Sequence, residues 1–219
     1  FSSLFCATAL GSAPSEAAPL ELPWSKAPFE SSEVWYHDTG NADGVPLVFI
    51  HGWSCDSSFW REQIPFFAKD FRVITVDLPG FGQSGKPQDA PYDMEYFARS
   101  LKAVLDHAKA ENPVLIGHSM GYSVSRQFLI DMPGKARAVV NTDGAYFVVP
   151  EDPEAQAGWD ESMEAIRQMF TGPDLANTVD WFISQTFYGK TPDALAQEVR
   201  AGMAPAHPHP AVQSAAAKL

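Results

Sequence analysis

The chain has 219 residues, of which 45% are hydrophobic, and a formal net charge of -12. This length and composition are typical of one globular domain with a large core, and they exclude a fibrous or disordered protein. The negative charge disfavours nucleic acid and anionic membrane surfaces as partners, because both are negatively charged and bind positively charged protein surfaces. No stretch of the sequence reaches the roughly 18 apolar residues that a membrane span requires.

The first 30 residues have the composition of a leader followed by a linker. Residues 1–11 resemble the apolar core and small-residue end of a secretory signal, which predicts a secreted or periplasmic protein. A disordered leader on a cytoplasmic protein is the alternative. Residues 12–30 are rich in Pro, Ala, Ser and Glu, so we expect folded structure to begin near Glu33. With only Cys6 and Cys55 in the chain, we expect no disulfide framework.

Apolar strands alternate with amphipathic helices through residues 31–149. This alternation predicts an α/β fold, with a mostly parallel sheet covered by helices on both faces. We expect the first two strands to form a hairpin through the turn at 40–44, and Asp93 to cap the long helix. The predicted strands are 34–37, 45–50 and 71–76, and the predicted helices are 59–68 and 94–109.

The second strand ends in His51-Gly52-Trp53 and is followed by a polar loop. Acyl transfer to a serine needs backbone N–H groups that face the oxygen of the tetrahedral intermediate. We predict that the N–H groups of Trp53 and Met120 form this oxyanion hole. His51 is interpreted as a structural histidine that fixes the loop by hydrogen bonds.

The third strand leads into a Gly-rich turn, Asp77-Leu78-Pro79-Gly80-Phe81-Gly82-Gln83-Ser84. Asp77 precedes the candidate nucleophile in the chain, and the turn residues alone account for an aspartate at the end of a strand. We therefore interpret Asp77 as structural rather than catalytic.

Gly117-His118-Ser119-Met120-Gly121 lies between a strand predicted at 113–116 and a helix predicted at 122–132. In a tight strand-to-helix turn, side chains on either side of the central residue would collide. Gly117 and Gly121 remove those side chains, so Ser119 is predicted to project from the sheet as a nucleophile.

These three motifs, in this order, resemble the α/β-hydrolase fold family over residues 33–148. The single Gly after His51 is similar to the branch that holds esterases, C–C bond hydrolases, lactonases and cofactor-free haloperoxidase-like proteins. The resemblance implies a small-molecule substrate and no cofactor or metal. Haloalkane dehalogenases and epoxide hydrolases of this family carry Asp where this chain has Ser119, which argues against both.

The family places an acid and then a histidine after the nucleophile, and neither is evident here. Asp143, which ends a strand predicted at 135–143, is the runner-up acid. His207 and His209 lie in a Pro-rich stretch and are interpreted as loop residues, with metal binding by the pair disfavoured. We therefore expect a fragment that lacks the C-terminal strands, with its acid and base beyond Leu219 and little activity of its own.

Residues 150–219 are predicted to form a helical cap, with apolar stripes that begin at Trp159 and at Val179. Such a cap over Ser119 would give an apolar pocket. The function predicted from these patterns is hydrolysis of a carboxylic ester or related carbonyl bond through an acyl-enzyme on Ser119. A C–C bond hydrolase or lactonase, or a non-catalytic ligand-binding protein on the same scaffold, are the alternatives.

Overall fold

The computed structural model describes residues 22–144, 150–171, 175–186 and 193–203. Its centre is one six-stranded sheet in the order β1-β2-β4-β3-β5-β6. Strands β3, β4, β5 and β6 are parallel, whereas β2 pairs antiparallel with both β1 and β4. The strands are β1 (Trp24–Phe29), β2 (Ser32–Gly40), β3 (Pro46–Ile50), β4 (Arg72–Val76), β5 (Val114–His118) and β6 (Ala138–Thr142).

Helices cover both faces of this sheet, as the sequence predicted. Helices α2 (Met94–Ala108) and α3 (Met120–Asp131) pack on one face with side chains such as Val48, Ile74 and Leu115. On the other face, a short 3₁₀ helix (Ser57–Trp60) and α1 (Ile64–Phe67) contact alternate residues of the same strands. Because side chains alternate across a strand, each central strand contributes to both cores.

The beginning of the sheet differs from the prediction. Strand β1 lies within the stretch expected to be linker, so ordered structure starts well before Glu33. The predicted hairpin between the strands at 34–37 and 45–50 is wrong, because β2 pairs with β1 and β4 and not with β3. Residues 22–30 contain Pro and Ser, which masked the alternation that buries Ala27 and Phe29.

The helix predicted over 59–68 is also wrong in extent, since the 3₁₀ helix and α1 are separated by a turn. Pro65 accounts for the interruption: it has no backbone N–H to donate and so favours the first turn of a new helix. The long helix was predicted correctly. The Asp93 side chain caps α2 by accepting a hydrogen bond from the backbone N–H of Tyr96 at 2.8 Å.

Three helices follow the sheet region: α4 (Pro153–Thr171), α5 (Leu175–Thr186) and α6 (Asp193–Met203). The sequence predicted helical structure around the first two, but it gave no signal that we recognised for α6. Across the described ranges, no helix combines the length and apolarity that crossing a membrane demands. The predicted leader with Cys6, and the His207/His209 pair, lie outside the described residues.

Candidate active site

Ser119 occupies the turn between β5 and α3. Its backbone has φ 51° and ψ -117°, outside the regions that residues with a side chain normally adopt. Holding a residue there costs about 1–3 kcal/mol, and such strain persists only where the surrounding structure enforces it. The turn therefore has the geometry of the predicted nucleophile elbow.

Two glycines allow this turn to pack closely. A Cβ atom on Gly117 would overlap the backbone of Gly121, and a Cβ atom on Gly121 would overlap the carbonyl oxygen of Ile50. Any side chain at either position would separate α3 from β5 or from β3. The steric role predicted for both glycines is confirmed.

The loop after β3, which carries the predicted oxyanion donor Trp53, lies directly against Ser119. A Cβ atom on Gly52 would come within 3.1 Å of the Ser119 Cβ atom, so the backbone after β3 touches the elbow. Trp53 follows Gly52 and is buried. Met120 begins α3, so its N–H belongs to the first turn, where no intrahelical acceptor exists. The structure brings together the two segments that carry the predicted oxyanion donors.

His51 connects this loop to the turn after β4. Its Nε2 atom accepts a hydrogen bond from the Leu78 backbone N–H at 2.9 Å, so the ring proton is on Nδ1 and is donated to the Gly52 carbonyl oxygen at 2.7 Å. Burial lowers the pKa of His51, in spite of the opposing charge of Asp77. The imidazole is neutral and acts as the structural tie that the sequence suggested.

Asp77 binds backbone groups rather than a catalytic partner. One carboxylate oxygen accepts from the Ser57 N–H at 2.8 Å, and the other accepts from the Gln83 N–H at 2.7 Å. Asp77 is 1% exposed, and its bond to Ser57 is buried while its bond to Gln83 is partly buried. These contacts fit the structural role predicted for Asp77, since they hold the loops after β3 and β4 together.

Asp143 follows β6 and lies near the elbow through the backbone, because the carbonyl of the preceding residue, Thr142, accepts the Ser119 N–H at 3.3 Å. Partial burial raises the pKa of Asp143. In the described part of the chain, no hydrogen bond links its carboxylate to an imidazole. The structure therefore places the runner-up acid at the correct edge of the sheet without the histidine that it would orient.

In the described part of the chain, no hydrogen bond joins a histidine to Ser119. His37 and His107 are bonded to the Pro23 carbonyl and to the Tyr36 hydroxyl. The ring of His118, the last residue of β5, lies beside the ring of Trp60 and close to Gly52. Burial, with a smaller contribution from His51, lowers the pKa of His118 to about 4.

Cys55 is buried, and burial raises the pKa of its thiol, which leaves a protonated and unreactive group. Cys55 therefore serves as a small packing residue of the core.

A contact between the loop after β3 and α6 was not predicted from the sequence. The Ser54 hydroxyl donates a hydrogen bond to the Met203 carbonyl oxygen at 3.0 Å, across 149 positions of the chain. A cleft of about 250 Å³ lies beside this contact, between the 3₁₀ helix and α6, and Ser119 does not line it. No local pattern marks a contact of such sequence separation. The positive φ of Ser54, 60°, is a property of the fold that the sequence does not display.

Comparison with known proteins identifies the scaffold. A non-heme chloroperoxidase of Burkholderia pyrrocinia is 39% identical over 93 residues, which are 42% of this chain and 33% of that protein. The 2-hydroxymuconate semialdehyde hydrolase of Pseudomonas sp. (strain CF600) is 33% identical over 138 residues, which are 61% of this chain and 48% of that protein. This chain thus spans between a third and a half of the length of these two relatives.

Solved structures agree with this fold. An esterase from Exiguobacterium antarcticum superposes with a TM-score of 0.74 at 23% identity, over 90% of this chain and 73% of that one. The family model described as alpha/beta hydrolase fold matches residues 45–198. That match includes β3, the elbow and most of α6, and the chain belongs to the alpha/beta hydrolase fold family.

Proposed function

We propose that this protein is a serine hydrolase that cleaves a carboxylic ester or a related carbonyl bond by acyl transfer to Ser119. The strained elbow, which presents Ser119 at the N-terminus of α3 against the oxyanion loop, is the observation that supports this function most strongly. A small-molecule substrate is consistent with the family.

In the proposed reaction, the Ser119 Oγ atom attacks the carbonyl carbon and its proton passes to a base. The negative charge that develops on the carbonyl oxygen is stabilised by the N–H groups of Trp53 and Met120 and by the positive end of the α3 dipole. As the tetrahedral intermediate collapses, the base gives this proton to the leaving oxygen, so that a neutral alcohol departs and the acyl-enzyme remains. Water then attacks the acyl carbon, which releases the acid and regenerates Ser119.

The base must come from outside the described histidines. His51 is committed to two backbone groups, and His118 makes no hydrogen bond to Ser119 and has its pKa lowered to about 4 by burial. In the proposed reaction, the described residues carry out the attack and stabilise the oxyanion. A group outside the described histidines removes the proton from Ser119.

A fluorophosphonate probe tests this division, because it reacts with an activated serine and leaves a tetrahedral phosphonyl group in the oxyanion hole. We expect peptide mapping to place the label on Ser119, with a rate that rises on addition of free imidazole as an external base. A general base typically contributes about 10²- to 10⁴-fold. The Ser119→Ala variant should not be labelled, whereas Ser123→Ala, one turn further along α3, should be labelled at the wild-type rate.

Failure of wild-type labelling, with and without imidazole, would argue for the alternative that the scaffold only binds a ligand. If Ser119→Ala is labelled as fast as the wild type, Ser119 is excluded as the nucleophile.

A C–C bond hydrolase is the second candidate, and the 33% identity to the 2-hydroxymuconate semialdehyde hydrolase favours it. The two reactions share the fold and differ in the bond cleaved. Rates on short esters, a lactone and a vinylogous diketone, each compared with Ser119→Ala, would rank them. Preference for the diketone would replace the ester assignment.

A further inference from the structure

Ser54 links the oxyanion loop to the last residue of helix α6. Its side chain is 1% exposed, and its hydroxyl donates to the Met203 carbonyl oxygen at 3.0 Å. The last four carbonyl groups of a helix have no intrahelical donor, and they form the negative end of the helix dipole. The hydroxyl of Ser54 therefore supplies a donor that the end of α6 requires.

The same stretch of chain makes two further contacts with α6. The Arg61 guanidinium lies 2.8 Å from the Glu198 carboxylate, and a Cβ atom on Gly202 would come within 3.0 Å of the Phe59 ring. Residues 54–61 thus form the surface on which the C-terminal half of α6 packs. Of these contacts, the Ser54 hydrogen bond is the one next to the proposed oxyanion donor.

The backbone of Trp53 lies between two anchors. On its N-terminal side, the carbonyl of Gly52 accepts from His51, which is itself held by the backbone N–H of Leu78. On its C-terminal side, Ser54 is held by α6. The Trp53 N–H shares a peptide plane with the Gly52 carbonyl, which accepts from the His51 ring and, at 3.3 Å, from the Cys55 backbone N–H. Ser54 lies within this turn from Gly52 to Cys55, so its bond to α6 bears on the position of that peptide plane.

The residue type at position 54 supports a specific use of the hydroxyl. Its φ of 60° is in the left-handed region, where Gly is the residue without a steric cost. Serine at this position accepts that cost and retains a hydroxyl whose partner is in the helical cap.

We propose that Ser54 is a positioning residue: its hydrogen bond to α6 makes the orientation of the Trp53 N–H, and so the oxyanion hole, depend on whether the cap helix is seated. This inference rests on the proposed function for the role of the Trp53 N–H. When α6 moves away, the turn from Gly52 to Cys55 keeps its inner anchor at His51 and loses its outer one, so the Trp53 N–H is held less precisely. Substrate entry through the cap and assembly of the site are then coupled.

Amide hydrogen exchange of the whole chain tests the coupling without any catalytic reaction. In Ser54→Ala and Ser54→Gly, we expect the amides of Trp53 and of residues 199–203 to exchange roughly five- to tenfold faster, the factor that loss of one net hydrogen bond implies. Amides of β3 and β4 should be unchanged. Ala retains the steric cost of the positive φ and Gly relieves it, so agreement between them assigns the effect to the hydroxyl.

Ser58→Ala is the matched control, because its hydroxyl is in the same loop but bonds only to Asp56 and not to α6. It should leave the exchange of Trp53 and α6 at the wild-type rate. The proposal is overturned if exchange rises only in α6, if it rises in proportion throughout the chain, or if only one of the two Ser54 variants responds.

Labelling of Ser119 by the fluorophosphonate separates this proposal from the function on which it rests. If the wild type is labelled and Ser54→Gly is labelled equally fast, Ser54 does not position the oxyanion hole. If the wild type is not labelled at all, the proposed function fails, while the exchange measurement still decides whether the loop and α6 are coupled.

Discussion

The sheet region and the helices after it differ in how tightly they are held. Around the elbow, large side chains from β3, β4, β5, α2 and α3 are completely buried, and glycines place backbone against backbone. In the described parts of α4–α6, Ile183 and Met203 are the fully buried apolar side chains, while Trp181 is 52% exposed. The contrast indicates that the proposed chemistry is built into the more densely buried region, whereas the described side chains of α4–α6 contribute few buried apolar groups.

The largest effect on stability should come from a glycine of the elbow. Gly121→Ala places a Cβ atom against the Ile50 carbonyl, which cannot move without separating α3 from β3. We expect a loss of about 3 kcal/mol or more in the free energy of unfolding, the upper end of the usual cost of overpacking. Urea denaturation monitored by far-UV circular dichroism measures it.

The control for this substitution lies in the cap. A Cβ atom on Gly158 in α4 would meet nothing within 4 Å, so Gly158→Ala should stabilise its helix by about 0.5–1 kcal/mol through helix propensity. Equal effects of the two substitutions would contradict the contrast between the regions.

Acid should destabilise the sheet region through its buried histidines. Burial lowers the pKa of His118 from 6.5 to about 4, so the unfolded chain binds this proton more readily than the folded one. Stability is then complete above pH 6.5 and declines as the pH falls towards 4, by about 3 kcal/mol for this residue. His51, whose pKa is also lowered by burial, acts in the same direction.

Denaturation series from pH 7.5 to pH 4.5 would measure this slope. We expect His118→Gln to flatten it, whatever that substitution does to stability at neutral pH. His37→Gln, which changes a partly exposed ring on β2, is the control and should keep the wild-type slope. A slope that His118→Gln leaves intact would show that the proton binds elsewhere.

A smaller loss in the free energy of unfolding should follow substitution of a buried side chain in α5. Ile183 is 1% exposed, so Ile183→Ala should cost about 2 kcal/mol, whereas Trp181→Ala, on the same helix but half exposed, should change stability little. Because Ile183 joins α5 to the core cluster of the sheet, the substitution should raise amide hydrogen exchange most in α4–α6, whose described side chains have few other buried apolar groups. Exposure of β3 and β4 in this variant would mean that the two regions unfold as one unit.

Features of this structure could be predicted from the sequence where the interacting residues are close together in the chain. The elbow, the Asp93 cap and the alternation of strands and helices were recognisable because each depends on residues close together in the chain. The pairing of β2 with β1 and β4, and the bond from Ser54 to Met203, depend on residues far apart. Pro65 was visible, but its effect on the predicted 59–68 helix was underestimated.

The same distinction applies to the candidate site. Ser119, Trp53 and Met120 lie in motifs with a local steric reason, and the structure brings their segments together. An acid and a base are recognised by their geometry relative to the serine, which no short pattern encodes. Asp143 shows this, since its position after β6 carries no information about a histidine partner.

Trapping of the acyl-enzyme tests the central claim most directly. The protein would be mixed with a p-nitrophenyl ester in the presence of free imidazole, quenched in acid and mapped by peptide mass spectrometry. We predict an acyl group on the peptide that contains Ser119, with release of p-nitrophenol above the rate that imidazole alone produces, and neither in Ser119→Ala. An acyl group on another residue, or ester cleavage above the imidazole background that persists in Ser119→Ala, would contradict the account.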